Sequence, residues 1–103
     1  MSGFDKTDTF SDWLKKLTDT HAKARIFERI AMAESGNFGD CDSVGDGVSE
    51  MRIHVGPGYR LYFCQTEKDD YLLLLGGSKN TKKLQTQDIK RAKAIKQKEL
   101  SGD

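Results

Sequence analysis

Arg52, His54, Arg60 and Tyr62 are the residues in this chain best suited to chemistry, and their spacing matters as much as their identity. Met51, Ile53 and Val55 alternate with Glu50, Arg52 and His54, and after Gly56-Pro57-Gly58 the residues Tyr59, Leu61 and Phe63 alternate with Arg60, Tyr62 and Cys64. Strict alternation on both sides of a glycine-rich turn predicts a β-hairpin. If Gly56-Pro57-Gly58 is a three-residue turn, Val55 faces Tyr59, His54 faces Arg60, Ile53 faces Leu61 and Arg52 faces Tyr62. Arg52, His54, Arg60 and Tyr62 then share the face away from the core.

Such a patch suits a phosphodiester. Arginine presents a fork of donors to phosphate oxygens. Histidine exchanges a proton near neutral pH. Tyrosine stacks on a base or donates a hydrogen bond. Lys79, just past the next strand, adds positive charge, and Lys82 and Lys83 in a lysine-rich connection over 81–84 are candidates for substrate contact. RNA cleavage through the neighbouring 2′-hydroxyl needs no metal when such groups are present. The same four strand residues also read as ordinary cross-strand pairing on an exposed sheet face. Gly76-Gly77 lacks the spacing of a phosphate-binding loop. His21 and His54 are too few and too separated for a zinc site, so no metal and no cofactor is expected.

The elements that must position this patch follow from periodicity. A short first strand is expected near Phe4–Lys6. Thr9 is a candidate N-cap, and Phe10, Trp13, Leu14 and Leu17 form an apolar stripe at helical spacing. Asp19 and Thr20 start a second helix with Ala22, Ile26, Ile30 and Ala33 on one face, and Gly36 stops it. Residues 35–49 read as a long glycine- and aspartate-rich loop, open to two readings: a segment that contacts a partner, or a passive connection packed down by Phe38 and Val44. Strands are expected near 50–55, 59–65 and 71–76, with Gly76-Gly77-Ser78 ending the last. A final helix begins at Thr86 or Gln87 and buries Ile89, Ala92 and Ile95. The order predicts a single α+β domain over 1–103: a helical hairpin packed on a small, mainly antiparallel sheet, with a C-terminal helix.

Composition sets bounds. Hydrophobic residues make up 36% of the 103 and charged residues 32%, which is the composition of a folded soluble domain and not of a disordered one. No secretory signal or membrane-length apolar run is visible, and Cys41 and Cys64 are isolated, so a cytoplasmic location with free thiols is expected. The net charge of +1 hides an asymmetry: residues 1–50 carry six Lys and Arg against ten acids, and residues 51–103 carry eleven against six. The second half could face a polyanion or be a solvated basic helix.

Longer stretches resemble a known family. Phe10-Ser11-Asp12-Trp13-Leu14, then Ala24-Arg25-Ile26 and Arg29-Ile30, resemble its helical half. Gly36-Asn37-Phe38-Gly39-Asp40 and Val44 through His54 resemble its central signature, continued by Gly56 through Phe63, by Leu73 through Lys79, and by Gln87-Asp88-Ile89 with Ala92-Lys93. These are similar to the "addiction module killer" proteins, a phage Gp49-like, HigB-type branch of the RelE/ParE toxin superfamily, over about Phe4 to Leu100. The resemblance implies a RelE/ParE-like fold and a type II toxin. It implies a helix-turn-helix, HigA-like antitoxin as partner, and ribosome-dependent mRNA cleavage with Arg52, His54, Arg60 and Lys79 at the matching positions. Many RelE-like nucleases place a Tyr or His near the C-terminus, and nothing after Tyr71 is either. That leaves room for a ParE-like gyrase inhibitor or an inactive partner-binding module of the same fold.

Overall fold

The computed structural model describes residues 3–78 and 81–101. The elements run β1 (Gly3–Lys6), α1 (Asp8–Lys16), α2 (Thr20–Glu34), β2 (Cys41–Gly45), β3 (Val48–Ile53), β4 (Tyr59–Glu67), β5 (Asp70–Ser78) and α3 (Lys82–Ser101). The five strands form one sheet in the order β1-β5-β4-β3-β2. β1 pairs parallel with β5, and the other neighbours are antiparallel. The α+β architecture with an N-terminal helix pair and a C-terminal helix is as the sequence predicts.

The sheet is covered on both faces. α1 and α2 pack Phe10, Leu14, Ala22, Ile26, Ile30 and Ala33 against Met51, Ile53, Tyr59, Leu61 and Phe63. α3 packs Ala92, with Ile89 and Ile95 beside it, against Val48, Tyr62, Cys64, Leu74 and Leu75. This explains why Tyr71–Leu75 is apolar at every position. It also corrects the expectation of an exposed sheet face at Tyr62, which α3 covers.

Several local expectations are revised. Residues 35–49 are not one long loop, because Cys41–Gly45 forms β2 against β3. Asp46 and Gly47 both have positive φ (54° and 76°), which is the two-residue turn that favours Asp-Gly between antiparallel strands. Thr7, and not Thr9, caps α1: its Oγ1 accepts from Phe10 N at 3.0 Å and donates to the Leu74 carbonyl at 2.8 Å, which ties the helix start to the sheet. Asp19 caps α2 as expected from the break there, accepting from Ala22 N at 3.1 Å.

α3 starts at Lys82, before Thr86 or Gln87, and Thr81 Oγ1 accepts from Leu84 N at 3.3 Å. Gly76 and Gly77 do not end the last strand but continue it. A Cβ on Gly76 would collide with the Trp13 ring, and one on Gly77 would lie 2.6 Å from Asp88 Oδ2. The glycines let α1 and α3 approach the sheet from opposite sides.

Candidate functional site

The β3–β4 hairpin pairs Ile53 with Tyr59, Arg52 with Arg60, Met51 with Leu61 and Glu50 with Tyr62. The connection is therefore the five residues 54–58 and not a three-residue turn, and Gly58 N donates to the Val55 carbonyl at 2.9 Å within it. The pairing is shifted by two positions from the one predicted. A shift of two preserves the faces, so Arg52, Arg60 and Tyr62 do lie on one side. His54 leaves the ladder and sits just past the end of β3.

Arg29 fixes the neighbouring segment. It is 4% exposed, and it donates to the Arg52 carbonyl at 2.6 Å and to the Phe38 carbonyl at 3.1 Å. Burial, with the nearby Arg25, lowers its pKa from the usual guanidinium value. Gly39, at φ +64°, passes so close that a Cβ would lie 2.8 Å from Arg29 Nη2. This clamp holds residues 38–40 against β3, and Arg52 N donates to the Asp40 carbonyl at 2.9 Å. Asp40 is thereby delivered to Arg52, and the pairing of β2 with β3, Asp42 opposite Glu50, brings Asp42 to the same guanidinium.

Arg52 is fully engaged by carboxylates. Its Nη1 lies 2.6 Å from Asp40 Oδ1, its Nη2 2.6 Å from Asp42 Oδ2, and its Nε 3.6 Å from Glu50 Oε1. The Asp42 hydrogen bond, with that of Asp40, pushes the guanidinium pKa up. The second oxygen of Asp40 takes His54, whose Nε2 lies 2.6 Å from Oδ2. The His54 hydrogen bond foremost, and then Arg52, hold the Asp40 carboxyl below the usual carboxylate range. The carboxylate orients the ring so that Nε2–H donates and Nδ1 is left to solvent. The His54 side chain is 68% exposed.

Glu50 is the second hub, and sequence reasoning missed it. Its side chain is 3% exposed, and its Oε2 accepts from Tyr62 Oη at 3.1 Å and Gln85 Nε2 at 2.9 Å, with Arg60 Nε 3.8 Å away. A buried carboxylate survives only with such donors around it. The expectation that Tyr62 contacts substrate meets a different geometry: Tyr62 is fully buried beneath α3, so its ring is not available for stacking on a base. Burial foremost, with the Glu50 charge, drives its phenol pKa well above the usual value. The signals for Glu50 were its place in the alternation, two residues before Arg52, and the apolar residues on that face, which require a cover.

Arg52, His54 and Arg60 meet in a small cleft of about 40 Å³, closed by Ile53, Gly58 and Tyr59. Tyr62 is not among its lining residues. Lys82 and Lys83 are exposed on the first turn of α3 and do not line it either. Lys79 lies outside the described residues. Among the described residues no group of three or more His, Cys, Asp and Glu is arranged to hold a metal ion, and no helix is long and apolar enough to cross a membrane. An exposed imidazole backed by a carboxylate, beside an arginine in a cleft, can hold a phosphate and move a proton at its edge.

Comparison with known proteins fits the extent of this fold. Residues 12–97 match the family described as phage-derived protein Gp49-like (DUF891), a span from α1 almost to the end of α3. The chain is also 47% identical over 91 residues to a Haemophilus influenzae protein described as uncharacterized, covering 88% of this chain and 89% of that one. The chain therefore belongs to the phage-derived Gp49-like family.

Proposed function

We propose that this Gp49-like chain is a HigB-type toxin of the RelE/ParE superfamily, which acts in the cytoplasm as a metal-independent, ribosome-dependent mRNA endonuclease and is restrained by a helix-turn-helix antitoxin. The observation that carries the reading is the exposed His54, held by Asp40 and set beside Arg60 in one cleft. In this scheme the mRNA 2′-hydroxyl attacks its own phosphorus. The 2′-oxygen bond forms, the bond to the 5′-oxygen breaks, and the products are a 2′,3′-cyclic phosphate and a 5′-hydroxyl. His54 Nδ1 accepts the 2′-hydroxyl proton or supplies one to the leaving oxygen. Arg60 stabilises the charge that grows on the phosphoryl oxygens. Arg52 reaches the phosphate only by exchanging Asp40 or Asp42 for it.

That last point favours a second reading, in which the same face is a charge-balanced platform for a protein partner, as in a gyrase inhibitor or an inactive binding module. Expression without antitoxin separates the two. Mapping of mRNA ends should give cuts within translated codons. Trapped gyrase–DNA complexes with intact mRNA would favour the gyrase inhibitor, and no effect on growth would favour the binding module.

A further inference from the structure

The candidate cleft is poorly equipped to attract a polyanion by charge. Two guanidinium groups, Arg52 and Arg60, face three carboxylates, Asp40, Asp42 and Glu50. Proteins that hold a nucleic-acid backbone do so by replacing its counterions with Lys and Arg, so the attraction must come from another surface.

The positive excess lies on α3, which carries seven Lys and Arg against Asp88 and Glu99. Two of the seven face the sheet. Lys93 Nζ lies 3.3 Å from Asp46 Oδ2, and Lys96 Nζ donates to the Asp46 carbonyl at 2.6 Å. These contacts, with the Gln85–Glu50 hydrogen bond and buried Ala92, fix which side of the helix points outward. Lys83, Lys90 and Lys98 recur at steps of seven and eight residues, two turns each, on the side opposite Ala92. All three are exposed, and none makes an ion pair among the described residues. The row extends about 22 Å along the helix at 1.5 Å per residue. Arg91 flanks it, beside a hollow lined by Trp13 and Gly76.

We infer that the outward face of α3, centred on Lys83, Lys90 and Lys98, is an RNA-docking surface separate from the cleft, which grips the phosphate backbone without reading bases. The inference rests on the RNA-cleavage reading for its natural ligand. It divides the work: α3 supplies affinity and the cleft supplies transition-state contacts. α3 contains no aromatic residue, so it offers no stacking platform, and its contacts are point charges. Docking is therefore tolerant of sequence and steep in salt.

The test compares two triple variants of the full chain with the same change in net charge. One is Lys83→Glu, Lys90→Glu, Lys98→Glu on α3. The other is Lys6→Glu, Lys15→Glu, Lys16→Glu, at exposed positions of β1 and α1. The probe is a labelled 2′-methoxy oligouridylate, which cannot be cut through its own 2′-oxygen, titrated by fluorescence anisotropy over a salt series. Loss of three phosphate contacts at about 0.7 each should lower the log–log salt slope by about 2 and weaken binding roughly 100-fold at about 0.1 M salt. The β1–α1 variant should stay within a few-fold of wild type. In cleavage of ribosome-bound mRNA, the α3 variant should need more protein for half-maximal rate but reach the same saturating rate. Equal losses in both variants, or an α3 variant that binds like wild type, would overturn the inference. A wild-type chain that binds the probe but cuts nothing would defeat the cleavage reading and leave the docking face standing. Cleavage without any binding to the probe would do the reverse.

Discussion

Glu50→Ala should be among the most damaging single substitutions in the protein, although it deletes no apolar contact. Glu50 Oε2 accepts from Tyr62 Oη at 3.1 Å and from Gln85 Nε2 at 2.9 Å. Tyr62 is fully buried, so its hydroxyl cannot turn to water, and an orphaned buried donor costs about 1–3 kcal/mol. Gln85 is only partly buried and recovers some hydration. The side chains of Arg60 and Arg52 are 14% and 29% exposed, so loss of their counter-charge is partly screened. The sum is about 3 kcal/mol, below the top of the 3–5 range for breaking a fully buried pair. A domain of this size has roughly 5–15 kcal/mol in total. Glu50→Gln keeps an acceptor for Tyr62 and should cost about 1 kcal/mol. Urea unfolding followed by tryptophan fluorescence gives the midpoints and m-values. In a double-mutant cycle, Tyr62→Phe should remove about 1–2 kcal/mol of the Glu50→Ala penalty, because the orphaned hydroxyl is gone. A Glu50→Ala penalty under about 1 kcal/mol at unchanged m, additive with Tyr62→Phe, would refute the buried-hub account.

Two further outcomes follow from the packing and the charges. Gly76→Ala should cost about 1–3 kcal/mol, because the new methyl meets the Trp13 ring and must push α1 off the sheet; a calorimetric Tm equal to wild type would show that the contact is soft. Asp40 has a depressed pKa in the fold, held down by His54 first and Arg52 second, so its contribution is present above its ordinary value of 3.8 and is lost as pH falls through the lowered value. The Tm difference between wild type and Asp40→Asn should therefore close as pH drops below 3.8, and a gap unchanged in strong acid would place the difference elsewhere.

The alternation of β3 and β4 was legible because the side-chain period is two, and a two-position change in pairing leaves every residue on its face. The pairing itself depends on the 54–58 connection, where the Gly-Pro-Gly run marks a turn but not its length. β2 was hidden by composition, since Cys41–Gly45 holds only Cys41 and Val44 as apolar residues. Its readable sign was Asp46-Gly47 between Val44 and Val48, a two-residue hairpin turn. The first turn of α3 is hidden because Lys82, Lys83 and an exposed Leu84 give no apolar periodicity, although Thr81 caps it.

The arginines and His54 of the candidate site were found by residue type. Their carboxylate partners were not, because Asp40 reaches Arg52 through the Arg29 clamp, a contact between distant parts of the chain, and Asp42 reaches it through β2, which pairs with β3. The burial of Tyr62 is not legible in β4 itself, because nothing local announces that α3 folds back over that face. For the same reason alanine at position 60 is not structurally neutral, since Arg60 lies against buried Glu50, and Arg60→Lys is the cleaner probe of its role.

Whether the cleft of His54 and Arg60 cuts mRNA is decided by single-turnover cleavage of ribosome-bound mRNA at saturating protein. His54→Ala removes a side chain that is 68% exposed and should leave the urea midpoint near that of wild type. Its rate should fall about 10²–10⁴-fold, as expected for loss of a proton-transfer group. Arg60→Lys keeps the charge but loses the fork, and its rate should fall by up to about 100-fold. Near-normal rates in both folded variants would contradict the account and remove this cleft as the active site.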